Sequence, residues 1–396
     1  MWWDELREDE RAERPMNRVP GTAIRNAFFA GLLAVILMTG CRPPGGGWDL
    51  EFLLRAHPEL AAINGHRIGD MIPFPALDLD RNRVALLVCR FPSDAPIRVS
   101  GDGPGWPRQW AARAIDAMSG TIDGVELALE RAGKTSSAER GLIWIRSLSD
   151  ASARGPLGLA DTLSECDVSP EIGSQSGFRG ELLTSTIRIR RSRLDFLEES
   201  REATAEEWVG ALMHELAHAL GFSGHTRDGD SVLVLEQSRL RAAGRRALAS
   251  ESAEDPTLNA LYALPVGQLL GDRSLTPASH STLDEIRSFL EMHRSMHRSS
   301  VVSTSTVGDR AARIRWRLPD GSHVGVRFPR WRDELRSGAD VTLVAEPATA
   351  RRLEGHAEAE ASGLLVDAGL DRSGSIDQGT SLFGLTERAH DDTQSE

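Results

Sequence analysis

Several residue types are scarce in this 396-residue chain, and each shortage excludes a class of protein. Three cysteines are too few for a disulfide-rich scaffold, and their mutual spacing does not match a metal site. Basic residues are outnumbered, 46 Lys+Arg against 58 Asp+Glu, and the resulting charge of −12 argues against a nucleic-acid-binding protein. The 40% hydrophobic share is typical of a globular protein, and the length allows two or three domains.

A hydrophobic run near the N-terminus predicts export rather than a membrane span. The run AFFAGLLAVILM, Ala27–Met38, falls short of the roughly 20 apolar residues that a membrane helix needs. With Arg18 and Arg25 as a positive flank, it is typical of a secretory signal. The sequence Met-Thr-Gly-Cys41 resembles the lipobox of bacterial lipoproteins, although Met stands at the usual Leu position. We predict an exported bacterial envelope protein with a lipid on Cys41, a plain secretory signal or an uncleaved anchor being the alternatives.

The two remaining cysteines are interpreted in the light of export. An oxidising compartment permits a disulfide between Cys89 and Cys166, and two buried thiols are the alternative.

Met16 is an alternative translation start, which would leave residues 1–15 outside the protein. The predicted domain plan is a signal region (1–40), a tether and leader (41–83), a central domain (84–298), a small β-rich segment (299–348) and an acidic, poorly ordered tail (349–396).

Apolar periodicity predicts an α+β fold for the central domain. Helical patterns run over Gln109–Leu129, Ala205–Leu220 and Ser281–His293, whereas Ala151–Gly180 is typical of a loop. The predicted strands are Val84–Phe91, Gly141–Ser147 and the half-exposed Thr184–Arg190. In the β-rich segment a turn at Pro319–Ser322 joins two alternating runs, which predicts a hairpin.

The stretch His214-Glu-Leu-Ala-His218 carries the chemistry that the sequence reveals. Residues four apart lie one above the other on a helix, so both histidines can bind one zinc ion. Glu215 is one step round the helix, where it can accept a proton from a water molecule that zinc activates.

The flanking residues also favour a helix with this role. Thr204 and Glu207 form the T-x-x-E pattern of a capping box, and Gly221 is a candidate C-terminal cap. The apolar side chains predicted to share one face, roughly opposite the two histidines, are Val209, Leu212, Met213, Leu216 and Leu220.

The pattern HExxHxxG followed closely by a histidine resembles the metzincin clan of zinc peptidases. The resemblance covers roughly residues 84–295 and implies a zincin-type catalytic domain. Such a domain has a twisted, mostly parallel sheet with an antiparallel edge strand, a long helix, an active-site helix and a C-terminal helix. It implies His214, His218 and His225 as ligands of one zinc ion and Glu215 as the general base. It also implies that the edge strand, here taken as Thr184–Arg190, binds an extended substrate by strand addition.

The third ligand departs from the clan pattern, because His225 comes four residues after Gly221 rather than three. Asp228, Asp230 and His280 therefore remain alternatives to His225. In this clan a methionine in a tight turn lies beneath the metal, and Leu233 occupies that position within Ser231-Val-Leu233.

Two further residue roles have alternatives: the side chain beneath the metal and the function of Cys89. Met292 and Met296 are alternatives to Leu233, although a position in or just after a predicted helix does not suit a tight turn. Cys89 could act as a latency switch on the zinc, against a core or disulfide cysteine.

These observations predict an exported zinc endopeptidase that hydrolyses protein or peptide substrates bound in extended form. Zn²⁺ is the expected cofactor, no nucleic acid is expected, and membrane contact is expected only through the lipid anchor. The alternative is a non-catalytic envelope lipoprotein that uses a metzincin scaffold to bind a partner.

Overall fold

A nine-stranded mixed sheet runs through the computed structural model of the protein. The structure describes residues 53–361, except 56, 63–64, 104–105, 131–139, 149–159, 175, 191, 195–199, 228, 252–253, 297–301, 308–310 and 319. These residues belong to one compact unit, Gly45–Glu396. The predicted signal region and Cys41 lie outside the described residues. No helix among those described is both long and apolar enough to span a membrane.

The first half of this sheet has a parallel core. Its strands stand in the order β4 (Leu127–Leu129), β3 (Ile97–Asp102), β5 (Leu142–Leu148), β7 (Glu181–Arg190) and β6 (Ala160–Asp167). Strands β3, β4, β5 and β7 are parallel, and β6 is antiparallel to β7. Helix α2 (Arg108–Ser119) connects β3 to β4. The predicted α+β class and mixed sheet are therefore present.

Strand β6 corrects the predicted position of the edge strand. Thr184–Arg190 lies within β7, which has neighbours on both sides, β5 and β6. The antiparallel strand is instead β6, which lies within Ala151–Gly180, the stretch predicted to be a loop. Its sequence ADTLSECD is mainly small and polar, and it lacks the apolar alternation that marks a strand. The strand forms because the neighbouring strands β7 and β11 pair with it, and not because its own sequence favours a strand.

A second, three-stranded sheet contains the strand predicted over Val84–Phe91. This strand is β2 (Arg83–Leu87), which pairs antiparallel with β1 (Phe74–Asp78) and β10 (Leu269–Ser274). The leader region also holds α1 (Glu59–Ala62) and a 3-10 helix (Gly65–Asp70). The pairing of β1 with β2 crosses the predicted domain boundary at residue 84.

The second half of the large sheet is formed by the C-terminal region. Strands β11 (Val302–Val307), β12 (Ala311–Arg317), β13 (His323–Phe328) and β14 (Val344–Ala345) form an antiparallel series. The predicted hairpin is the pair β12 and β13. Strand β11 pairs with residues 165–167 of β6, so this region continues the large sheet.

Helix α8 (Pro347–Ala361) replaces the first part of the predicted disordered tail. Apart from small residues, Leu353 is the one apolar side chain in its sequence, and tertiary contacts hold the helix in place. Thr349 accepts a hydrogen bond from the backbone N–H of Gly325 at 2.7 Å, and the ring of His356 contacts Phe289. The rest of the tail lies outside the described residues.

The remaining helices are α3 (Ala205–Ala219), α4 (Gln237–Leu248), α5 (Pro256–Ala263), α6 (Pro277–Met296) and α7 (Trp331–Ser337). A short hairpin is formed by β8 (Ser192–Leu194) and β9 (Ser200–Glu202).

A disulfide between Cys89 and Cys166 links the end of β2 to β6, with a Cα–Cα distance of 6.1 Å. Both cysteines are fully buried. Because Cys89 is bonded to Cys166, its thiol is not available as a switch on a metal.

Candidate metal centre

Helix α3 carries the HExxH sequence and begins as its residues predict. The Thr204 side chain accepts from the backbone of Glu207, and the Glu207 carboxylate accepts from the backbone of Thr204, which confirms the capping box. The predicted apolar face is buried. Gly221 follows the helix with φ +113°, and a Cβ there would lie 2.1 Å from the carbonyl oxygen of Cys89. Only glycine therefore allows the chain to turn here.

Three histidine side chains converge at this helix: His214 is buried, and His218 and His225 are partly buried. Nε2 of His214 lies 3.1 Å from Nε2 of His218 and 3.2 Å from Nε2 of His225. Three nitrogens at the corners of a zinc tetrahedron with bonds of about 2.05 Å are about 3.3 Å apart. The spacing of the histidine nitrogens therefore fits one tetrahedral metal ion.

The outer nitrogens of two histidines fix which nitrogen carries the proton. Nδ1 of His214 lies 2.7 Å from the carbonyl oxygen of Val232, and Nδ1 of His218 lies 2.8 Å from that of Phe222. A carbonyl oxygen only accepts, so Nδ1 donates and Nε2 presents its lone pair to the centre. Burial, with the neighbouring His218 as the next cause, lowers the pKa of His214 to about 3, which keeps this ring neutral.

Two facing lone pairs 3.1 Å apart need a cation or a proton between them. The low pKa of His214 disfavours a proton, whereas a soft-to-intermediate metal ion satisfies all three nitrogens at once. The donor set of the site thus suits zinc.

Glu215 lies beside this centre in a buried position. The Thr162 hydroxyl, on β6, donates a hydrogen bond of 2.5 Å to Oε2 of Glu215. Burial raises the pKa of Glu215, while the nearby His214 and the Thr162 hydrogen bond act in the opposite direction. A carboxyl group whose pKa is raised towards neutrality is suited to accept and release protons.

A turn at Ser231–Leu233 contacts the histidine cluster and orients His214. The carbonyl of Val232 accepts from His214, and its N–H donates to Oδ2 of Asp255 at 2.9 Å. Asp255 is buried and also accepts from the N–H groups of Thr257 and Leu258, which start α5. Leu233 is fully buried within this turn, at the position where the clan resemblance implies a methionine.

Two of the alternatives to His225, Asp230 and His280, are not part of the histidine cluster. Among the described residues, His214, His218 and His225 form the one group of three candidate ligands, with ligand atoms within 4.8 Å of one another. Asp230 is exposed and faces Arg67 at 3.9 Å. His280 lies on α6, and Asp228 is outside the described residues. Met292 and Met296 also lie on α6 rather than in a turn.

Two contributors to the site were not predicted. Thr162 lies in the stretch read as a loop, so no local pattern indicated it. Asp255 could have been found, because Asp followed by Pro is a typical start of a helix.

No protein-family model, curated protein or solved structure matches this chain. The functional argument therefore depends on the geometry of the site itself.

Proposed function

We propose that this protein is an exported zinc metallopeptidase of the metzincin kind. The observation that carries the proposal is the convergence of three histidine Nε2 atoms beside a buried carboxyl group. Histidine nitrogens in this number are the ligand set of catalytic zinc sites that keep one position open. A purely structural zinc site has no need of a general base at this place.

Each side chain of the site has a chemical role in this proposal. Zinc, when bound, supplies the positive charge that makes a water molecule more acidic and polarises the carbonyl of the scissile bond. Glu215 takes the proton of that water and delivers it to the leaving amine. Because the Thr162 hydroxyl occupies Oε2, we assign the proton transfer to Oε1 of Glu215.

The substrate is proposed to bind along β6 rather than along β7. On the side away from β7, residues 165–167 pair with β11, and no described strand pairs with residues 160–164. The open stretch includes Thr162, which contacts Glu215, and Leu163, whose side chain is 46% exposed. An extended peptide added here would pass the site with its backbone paired.

Export and lipid anchoring at Cys41 are part of the same proposal. The disulfide between Cys89 and Cys166 supports export, because such bonds persist in oxidising compartments and are rare in the cytosol. Comparing membrane fractions of cells that express the wild type or Cys41→Ser tests the anchor. The wild type alone is expected in the membrane fraction, and equal distribution would refute lipidation.

The decisive experiment combines metal analysis with a cleavage assay. We expect about one zinc ion per chain in the wild type, and loss of zinc in His218→Ala and His225→Ala. Casein cleavage should stop with a chelator and return with added zinc. Glu215→Ala should retain zinc and lose cleavage; a zinc-loaded Glu215→Ala that cleaves as well as the wild type would refute the mechanism.

A further inference from the structure

The leader segment 65–73 packs against the loop that carries His225. The Thr226 hydroxyl donates to Oδ2 of Asp70 at 3.0 Å, and the backbone N–H of Ile72 donates to the carbonyl of Ser223. Between these bonds the backbones touch, since a Cβ on Gly224 would lie 2.6 Å from the carbonyl oxygen of Asp70. The leader therefore contacts the loop on both sides of His225.

These contacts explain how the loop accommodates its unusual length. The carbonyl of Phe222 accepts from His218, and the next carbonyl, that of Ser223, accepts from Ile72. Gly224 then turns the chain with φ +118°, a conformation that favours glycine. One end of the loop is thus held by α3 and the other by the leader.

The leader is itself firmly held. Ile68 and Met71 are buried, and the indole N–H of Trp331 donates to the carbonyl of Pro73 at 2.9 Å. A segment packed in this way can impose a fixed position on the loop that it contacts.

We propose that Asp70, with the segment 65–73, positions His225 as the third metal ligand, an inference that rests on the zinc site proposed above. Asp70 does not touch the metal position; it fixes Thr226, the residue next to His225. The leader, which lies outside the region of clan resemblance, is then a part of the metal site and not a removable pro-segment.

Zinc affinity of substituted proteins provides the first test. Groups that bond a metal ligand directly typically contribute about 10- to 100-fold in affinity. Because Asp70 acts through Thr226, the residue next to His225, we expect Asp70→Ala to weaken zinc binding near the lower end of that range, by about 10-fold. Asp70→Asn keeps an acceptor oxygen and should bind zinc nearly as the wild type does. The matched control is Asp78→Ala, because Asp78 pairs with Arg81 in the same N-terminal region. Unchanged affinity in Asp70→Ala would overturn the inference.

A double-mutant cycle separates positioning from general destabilisation. His225→Ala is expected to lose zinc on purification, so its weak residual affinity, from His214 and His218, is measured by titration at high zinc concentration. In that background Asp70→Ala should have no further effect, because the ligand that it positions is gone. The visible spectrum of the Co²⁺-loaded protein should change for Asp70→Ala and not for Asp78→Ala. An equal loss of affinity with and without His225 would contradict a positioning role.

Hydrogen exchange in the metal-free protein gives a readout that does not depend on zinc. Amides of residues 222–227 should exchange faster in Asp70→Ala than in Asp78→Ala or the wild type. If the wild type binds no zinc, the proposed function fails, and exchange alone decides whether the segment holds His225. Equal exchange in all three proteins would overturn the inference.

Discussion

The hydroxyl of Thr162 lies 2.5 Å from Oε2 of Glu215 and joins the antiparallel strand to the helix that carries the histidines. A general base works only when its oxygen points at the proton that it removes, and misplacement by about 1 Å can cost about 100-fold in rate. Thr162 thus connects the strand proposed to bind substrate with the residue proposed to act on it.

Removal of the Thr162 hydroxyl should reduce cleavage without removing the metal. We expect Thr162→Val, which keeps the shape of the side chain, to lower kcat/KM by about 10- to 100-fold with zinc content unchanged. Thr162→Ser keeps the donor and should stay within a few fold of the wild type. The measurement is peptide cleavage beside elemental analysis; equal rates for Thr162→Val and Thr162→Ser would show that the hydrogen bond has no catalytic effect.

Asp255 should affect zinc affinity although it is not one of the proposed ligands. In Asp255→Asn one carboxylate oxygen becomes an amide N–H₂ group, and the side chain can no longer accept from Val232 and from the start of α5 together. The Val232 carbonyl, which orients His214, would then shift. We expect zinc affinity about 10-fold weaker, measured by competition with a chelating dye. Affinity equal to that of the wild type would mean that the turn holds its position without Asp255.

In the metal-free protein, Glu215→Gln should increase stability with a defined pH dependence. Burial raises the pKa of Glu215 in the folded state above its usual value near 4.5. The stability linked to the raised pKa is present below pH 4.5 and is lost as the pH rises through the folded-state value. The Tm of Glu215→Gln relative to the wild type should therefore increase from about pH 4.5 upward and then level off. A difference in Tm that does not change with pH would contradict this account.

Gly221 should tolerate no side chain. Gly221→Ala would combine a positive φ with a Cβ 2.1 Å from the Cys89 carbonyl, and we expect a loss of about 2–4 kcal/mol in the free energy of unfolding. Gly355→Ala is the matched control, because no atom lies within 4 Å of the added Cβ in α8. The control should be neutral or gain up to about 1 kcal/mol from helix propensity. Chemical denaturation of both variants measures the difference.

The parts of the site that the sequence predicted are those fixed by short-range chemistry. The capping box of Thr204 and Glu207, the spacing of His214 and His218, and the turn at Gly221 each depend on residues within one or two helical turns. Such local rules can be read directly from spacing.

The parts that the sequence did not predict depend on partners distant in the chain. Strand β6 has no apolar alternation, and it forms because β7 and β11 pair with it. The contact between Asp70 and Thr226 joins residues 156 positions apart. Neither the pairing of a polar strand nor a contact of this range leaves a periodic signal.

Strand β6 also divides along its length into a half that β11 has already taken and a half that remains open. A peptide added to the open half would lie in line with β11, and the chain's own C-terminal sheet would act as an end stop. A bound peptide could then extend beyond the cleft only at the end that faces away from β11. The number of peptide residues that fit in the cleft would be limited by the point where β11 begins to pair with β6. The depth of a side-chain pocket would not set this limit.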